Sequence, residues 1–239
     1  MTISLKFSIP GNGILALTGS GEYLPPMAPV DRILVDSLPE PARVVCLPTG
    51  AGSEGAERVA YWQKLGEDYF HQLGVSEVRS LPVTDRSGAE DPAMVEAVQH
   101  ANFVYFSGGK PWYLYDALAD TPLWQAALDV LGRGGVVAGC SAGAMIFGEY
   151  IPGRQTPLSL STGFGLLKDT IVMPHFDELP ALLRSTLGLL AKERIVVGVE
   201  ANTAIVLSGD TWRVIGSGGV TLIQNFESIR YTQADFPTK

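Results

Sequence analysis

The chain has 239 residues, 46% hydrophobic and 18% charged, which suits one well-filled globular core and excludes a disordered chain. Its net charge of −8 argues against nucleic acid or an anionic membrane as partner, because both attract basic surfaces. No apolar run reaches the roughly 18–20 residues of a bilayer span, and residues 1–13 lack the apolar stretch of a secretory leader, so a soluble, cytoplasmic protein is expected.

Along the chain, short Val/Ile/Leu runs alternate with longer stretches of helical spacing. The pattern predicts strands over 14–18, 43–48, 78–82, 103–106 and 136–139, and helices over 53–73, 91–100, 112–118 and 122–132. Apolar strands broken by helices indicate a parallel sheet covered on both faces, so the expected class is α/β with a doubly wound, mostly parallel sheet. After Glu149 the pattern changes. "IPGRQTPLSLSTGFG" is rich in turn residues and reads as loop, "TIVMPHF" as a strand and "ELPALLRSTLGLLAKERI" as a helix. The last segments, "IVVGVE", "TAIVLSG" and "TWRVIGSGGVTLI", read as antiparallel strands joined by short glycine-containing turns. With no repeat, low-complexity tract or linker, residues 1–239 are expected to form a single domain.

Cys46 and Cys140 each lie in or beside a predicted buried strand and read as reduced core thiols, and no Cys/His spacing suits a metal. A dinucleotide fingerprint is rejected in "GNGILALTGSGEYLPP". Gly11 and Gly13 precede the strand there, and Gly19 and Gly21 lead into Pro25-Pro26 rather than the helix N-terminus a phosphate needs.

The chemistry concentrates at "GGVVAGCSAGAMIFGE", where a buried strand runs into Gly-Cys-Ser-Ala-Gly and a small-residue helix. A nucleophile elbow needs glycine two residues either side of the reactive residue, because side chains there collide with the sharp turn. Gly139 and Gly143 satisfy this for Ser141; Ala138 and Ala142 do not for Cys140, which reads as a packed small residue. A serine hydroxyl needs a base. His71 suits a mixed helix surface and His100 a helix C-terminus, which leaves His175, at the end of a predicted strand, the sheet edge where catalytic groups gather. An oxyanion hole needs two backbone N–H donors. Ala142 offers one, and "FSGGK", where a strand ends in two glycines, offers another.

Together "FSGGKPWYLYDAL", "GCSAGAM", "MPHF" and "GVEANTAIVL" resemble, in order and spacing, the S51 serine peptidases, the family of aspartyl dipeptidase and cyanophycinase. The resemblance implies a class I glutamine amidotransferase-like, flavodoxin-like fold and a cofactor-free serine exopeptidase acting on small peptides. His175 follows Ser141 by 34 residues, unlike the late histidine of α/β-hydrolases. Carried over, Ser141 is the nucleophile, His175 the base, and Gly109 with Ala142 the oxyanion hole. For the acid, the family segment G-I-D-E-[ND]-T-A aligns Glu200 with its Asp, and Asp177 and Glu149 stand as alternatives. Lys110 replaces the family's Asn or Asp, Met173-Pro174 replace the Asp-Gln of cyanophycinases, and of the arginines that follow there Arg184 remains. These departures speak against cyanophycin as substrate and leave Lys110 and Arg184 to receive an acidic group of a dipeptide or isopeptide. The expected partner is a small peptide substrate, with no nucleic acid and no membrane, and a homodimer is the assembly kept open. Two other readings remain, a catalytically silent small-molecule-binding member of this fold and a thiol enzyme at Cys140.

Overall fold

A computed structural model describes the backbone of residues 3–156 and 159–236 and, apart from 181–183, 185 and 186, their side chains. In chain order the strands are β1 (Lys6–Phe7), β2 (Ile14–Thr18), β3 (Arg43–Leu47), β4 (Glu77–Ser80), β5 (Phe103–Phe106), β6 (Val136–Cys140) and β7 (Gly148–Pro152). They continue with β8 (Leu160–Thr162), β9 (Leu167–Met173), β10 (Ile195–Val199), β11 (Thr203–Ser208), β12 (Thr211–Gly216), β13 (Gly219–Gln224) and β14 (Glu227–Thr232). The helices are α1 (Ala28–Asp36), α2 (Ala56–Gln72), α3 (Arg86–Glu90), α4 (Pro92–His100), α5 (Pro111–Leu118), α6 (Pro122–Gly132), α7 (Ala142–Met145) and α8 (Ala181–Leu190).

The first sheet has the order β12-β11-β2-β6-β5-β3-β4 and is parallel from β2 to β4, with β11 and β12 added antiparallel. Strand alternation sorts its side chains onto two cores. Leu15, Leu17, Leu47, Phe106 and Val137 pack with α5 and α6, while Ala16, Cys46, Tyr105, Ala138 and Cys140 pack with α1 and α2. Helices therefore cover both faces, the doubly wound arrangement the sequence pattern predicts.

A second seven-stranded sheet goes beyond that expectation. It runs β14-β13-β10-β9-β7-β8, with β1 paired to β9, and mixes parallel pairs (β10–β9, β7–β9) with antiparallel ones. Leu167, Val172, Val197 and Leu222 of this sheet join the same core as Leu15 and Leu17, which binds the two sheets together. Its other face, Ile171, Val196 and Ile223, is covered by Leu187 and Leu190 of α8.

Two local expectations change. The segment 151–165, read as loop, contains the end of β7 and all of β8; β8 is a three-residue edge strand, too short to show a period. Pro25-Pro26 opens a 3-10 turn, Pro25–Met27, that runs into α1, where a break was expected. Proline suits a first helical turn because its missing N–H would go unbonded there anyway. A phosphate is still disfavoured, since the residue three before this turn is the buried acid Glu22, whose charge would repel it. Among the described residues no helix is long and apolar enough to cross a membrane.

Candidate active site

β6 ends at Cys140, and the chain turns into α7 through Ser141, whose backbone sits at φ 52°, ψ −117°. A non-glycine residue at positive φ is strained, and such strain collects at functional sites. The flanking glycines explain how the turn closes. A Cβ on Gly139 would collide with the Gly143 carbonyl, and one on Gly143 with the Phe106 carbonyl. Cys140, fully buried, points instead into the core beneath α1 and α2.

The Ser141 Oγ lies 3.0 Å from His175 Nε2. His175 follows β9, itself at φ 52°, and the next residue anchors it: the Phe176 N–H donates to the Val199 carbonyl at 3.1 Å, and the Phe176 ring covers Gly198. On the other side of the imidazole, Nδ1 lies 3.0 Å from Glu178 Oε2. An ionised carboxylate only accepts, so this contact fixes the proton on Nδ1 and leaves Nε2 to accept from the serine hydroxyl. His71 and His100 are engaged elsewhere, with the Val75 carbonyl at 2.9 Å and with Glu77 at 3.4 Å.

None of the three acids read from the sequence reaches the imidazole; each has a different partner. Glu200, aligned with the family acid, is held by Arg230 through two bonds of 2.6 and 2.7 Å and accepts the Gly219 N–H at 2.8 Å. The Arg230 guanidinium pulls its carboxyl below the ordinary value, against partial burial. Asp177 accepts the Ala201 N–H at 2.9 Å, and Glu149 the Asp169 N–H at 2.8 Å. Glu178 went unread although the signal was present. It stands three residues after His175, and a turn with the Glu178 N–H on the His175 carbonyl at 3.0 Å brings residues so spaced together.

Beside Ser141, β5 ends in the Ser107-Gly108-Gly109 turn. Gly109 sits at φ 128°, and a Cβ there would collide with Gly50 and crowd Ala51. Among the described residues no acceptor takes the Gly109 N–H, and the Ala142 N–H opens α7, outside that helix's own ladder. Glu22, missed by the sequence reading, is 8% exposed and accepts the Gly108 N–H at 2.8 Å. Burial pushes its carboxyl above the ordinary value, outweighing the Cys140 thiol, the Gly108 amide and the attraction of His175. Burial, with Glu22 beside it, also pushes the Cys140 thiol well up, which disfavours the thiolate a nucleophile needs. Lys110 is exposed at the start of α5 and Arg184 exposed on α8, where its charge still acts on Glu200. Among the described residues no group of three or more His, Cys, Asp or Glu is arranged to hold a metal ion.

The model of peptidase family S51 matches residues 15–215. A cyanophycinase of Synechococcus elongatus is 33% identical over 172 residues, which make up 67% of this chain and 53% of that protein. The chain thus matches about half the length of this curated relative. A solved peptidase from an acI-B1 Actinobacterium superposes with a TM-score of 0.82 at 35% identity, covering 92% of this chain and 94% of its own. A protein of Listeria monocytogenes EGD-e proposed to be a peptidase E gives a TM-score of 0.63 at 19% identity, over 87% of this chain and 100% of its own, a likeness of fold alone.

Proposed function

The chain belongs to peptidase family S51, and from that premise we propose that it is a serine peptidase that hydrolyses small peptides, with Ser141 as nucleophile. The observation that carries this reading is the strained Ser141 backbone with its Oγ 3.0 Å from His175 Nε2. In the step it supports, Ser141 Oγ attacks the scissile carbonyl while its proton passes to His175 Nε2. Glu178 keeps the imidazole oriented and stabilises the imidazolium that forms. The Gly109 and Ala142 N–H groups receive the carbonyl oxygen as it becomes an oxyanion. His175 then returns the proton to the leaving amine, and water, activated by the same imidazole, cleaves the acyl-enzyme. As substrate we infer a dipeptide or isopeptide carrying an acidic residue, with Lys110 and Arg184 as the cations near it.

A fluorophosphonate probe followed by mass mapping tests the nucleophile. Labelling is expected at Ser141, to vanish in Ser141→Ala and to persist in Cys140→Ala. Labelling at Cys140 instead would establish the thiol reading, and no labelling at all a binding module without chemistry.

A further inference from the structure

The loop after β2, residues 19–23, contributes no reacting group, yet it touches both Glu178 and the Ser107-Gly108-Gly109 turn. Ser20 Oγ donates to Glu178 Oε1 at 3.3 Å. The Tyr23 hydroxyl pairs with Ser107 Oγ at 2.9 Å, and the Tyr23 ring lies 5.0 Å from that of Tyr105, fixing the loop to β5. Between these contacts Glu22 Oε1 takes the Gly108 N–H at 2.8 Å.

We propose that Glu22 is a positioning residue: its buried carboxyl holds the Gly108 peptide so that the following amide, Gly109 N–H, is preset for the oxyanion of a carbonyl attacked by Ser141. This rests on the Ser141 reading above. Two successive glycines form the most permissive backbone available, so nothing intrinsic fixes the direction of the second N–H. An oxyanion hole works only when its donors are oriented beforehand. Here the turn is braced from outside on both sides. The Gly109 backbone lies against Gly50 and Ala51, and Lys110 N–H donates to the Gly50 carbonyl at 2.9 Å. On the opposite side a Cβ at Gly108 would come within 3.2 Å of Glu22 Oε1 and 3.3 Å of Ser141 Cβ, so Glu22, the turn and the nucleophile are in one packed layer. Without an acceptor at Glu22 the buried Gly108 N–H would be unpaired, and the peptide would turn to find another partner. Burial also raises the proton affinity of this carboxyl, and carboxyls kept at such a cost cluster at functional sites.

The test is the rate at which a fluorophosphonate labels Ser141, since the phosphonyl oxygen uses the same donors, together with kcat and KM on a peptide that wild type cleaves. Glu22→Gln keeps the size and a carbonyl acceptor, Glu22→Asp keeps the acid but withdraws it by one methylene, and Glu22→Met keeps the volume without an acceptor. The expected result is labelling and kcat slowed about 10- to 100-fold in Glu22→Met, KM changed less than about 3-fold, and Glu22→Gln recovering to within about 5-fold of wild type. Glu22→Asp should be slower than Glu22→Gln, and this comparison decides the matter if the Met variant does not fold. Wild-type rates in Glu22→Met, or Glu22→Asp faster than Glu22→Gln, would overturn the positioning role while leaving the serine intact. A wild type that takes no label at all would overturn both.

Discussion

Three carboxylates lie around the ends of β9 and β10, and their side chains part company within a few residues: Glu178 faces the imidazole, Asp177 holds the Ala201 amide, and Glu200 holds Arg230. The expected kinetic consequence is sharp. Glu178→Gln frees the ring to take the wrong tautomer, and kcat should fall about 100-fold or more, short of the roughly 10⁴ seen for buried triad acids because Glu178 is half exposed. Glu200→Gln should keep kcat within about 5-fold and lower Tm by a few degrees through loss of the Arg230 pair. A Glu200 variant that loses activity without losing Tm would return the acid to Glu200. At this scale the elbow at Ser141 was legible because steric need writes it into the sequence: Gly139 and Gly143 fit only one register. The carboxylate that lies against the imidazole, Glu178, was not legible because alignment to a strand segment ranked Glu200 first. That residue lies just past the end of β10, where its side chain meets β13 and β14 instead.

Elements with a strong apolar run were read to the residue, as for β2 between Gly13 and Gly19, β5 between Asn102 and Ser107, and α6 behind a capping Thr121. Elements that borrow their stability from neighbours were not. α7 is only four residues long and gives way to β7 at Gly148; β8 has three; α1 begins among prolines. α1 carries a further consequence. Asp31 lies fully buried on it, accepting the Tyr69 hydroxyl at 2.6 Å through Oδ2 while Oδ1 has no partner among the described residues. Burial pushes its carboxyl from 3.8 to about 7, with Glu22 adding repulsion against the Tyr69 bond. Between those values the folded protein keeps a proton that the unfolded chain has released, so stability is full at the acid end and falls as pH rises toward about 7. Chemical denaturation of wild type and Asp31→Asn across that window checks this. The loss of stability with rising pH should shrink in the variant, and equal slopes in the two proteins would contradict the buried acid's part in it.

Seen whole, the site is a seam between the two sheets: Ser141 comes from the end of β6 in one, His175 and Glu178 from the loop after β9 in the other. No periodicity in the sequence announces that seam, since it exists only through the core that Leu15, Leu17, Val172 and Val197 share. The molecule's charge of −8 sets a second condition on the site, because an acidic peptide approaches against the overall field. Any preference for such a substrate must then come from local cations, and Lys110 on the turn after β5 and Arg184 on α8 are the ones inferred to supply it. Both are exposed, so each should contribute modestly, about 1 kcal/mol or less. The comparison is kcat/KM for Asp-X against Leu-X dipeptides in wild type, Lys110→Met and Arg184→Met. Wild type should favour Asp-X, and at least one variant should lose about 3- to 5-fold of that preference. A wild type indifferent to the acidic residue, or a preference untouched by either variant, would remove these two cations from substrate recognition and leave the peptide's identity to be read from other contacts along the seam.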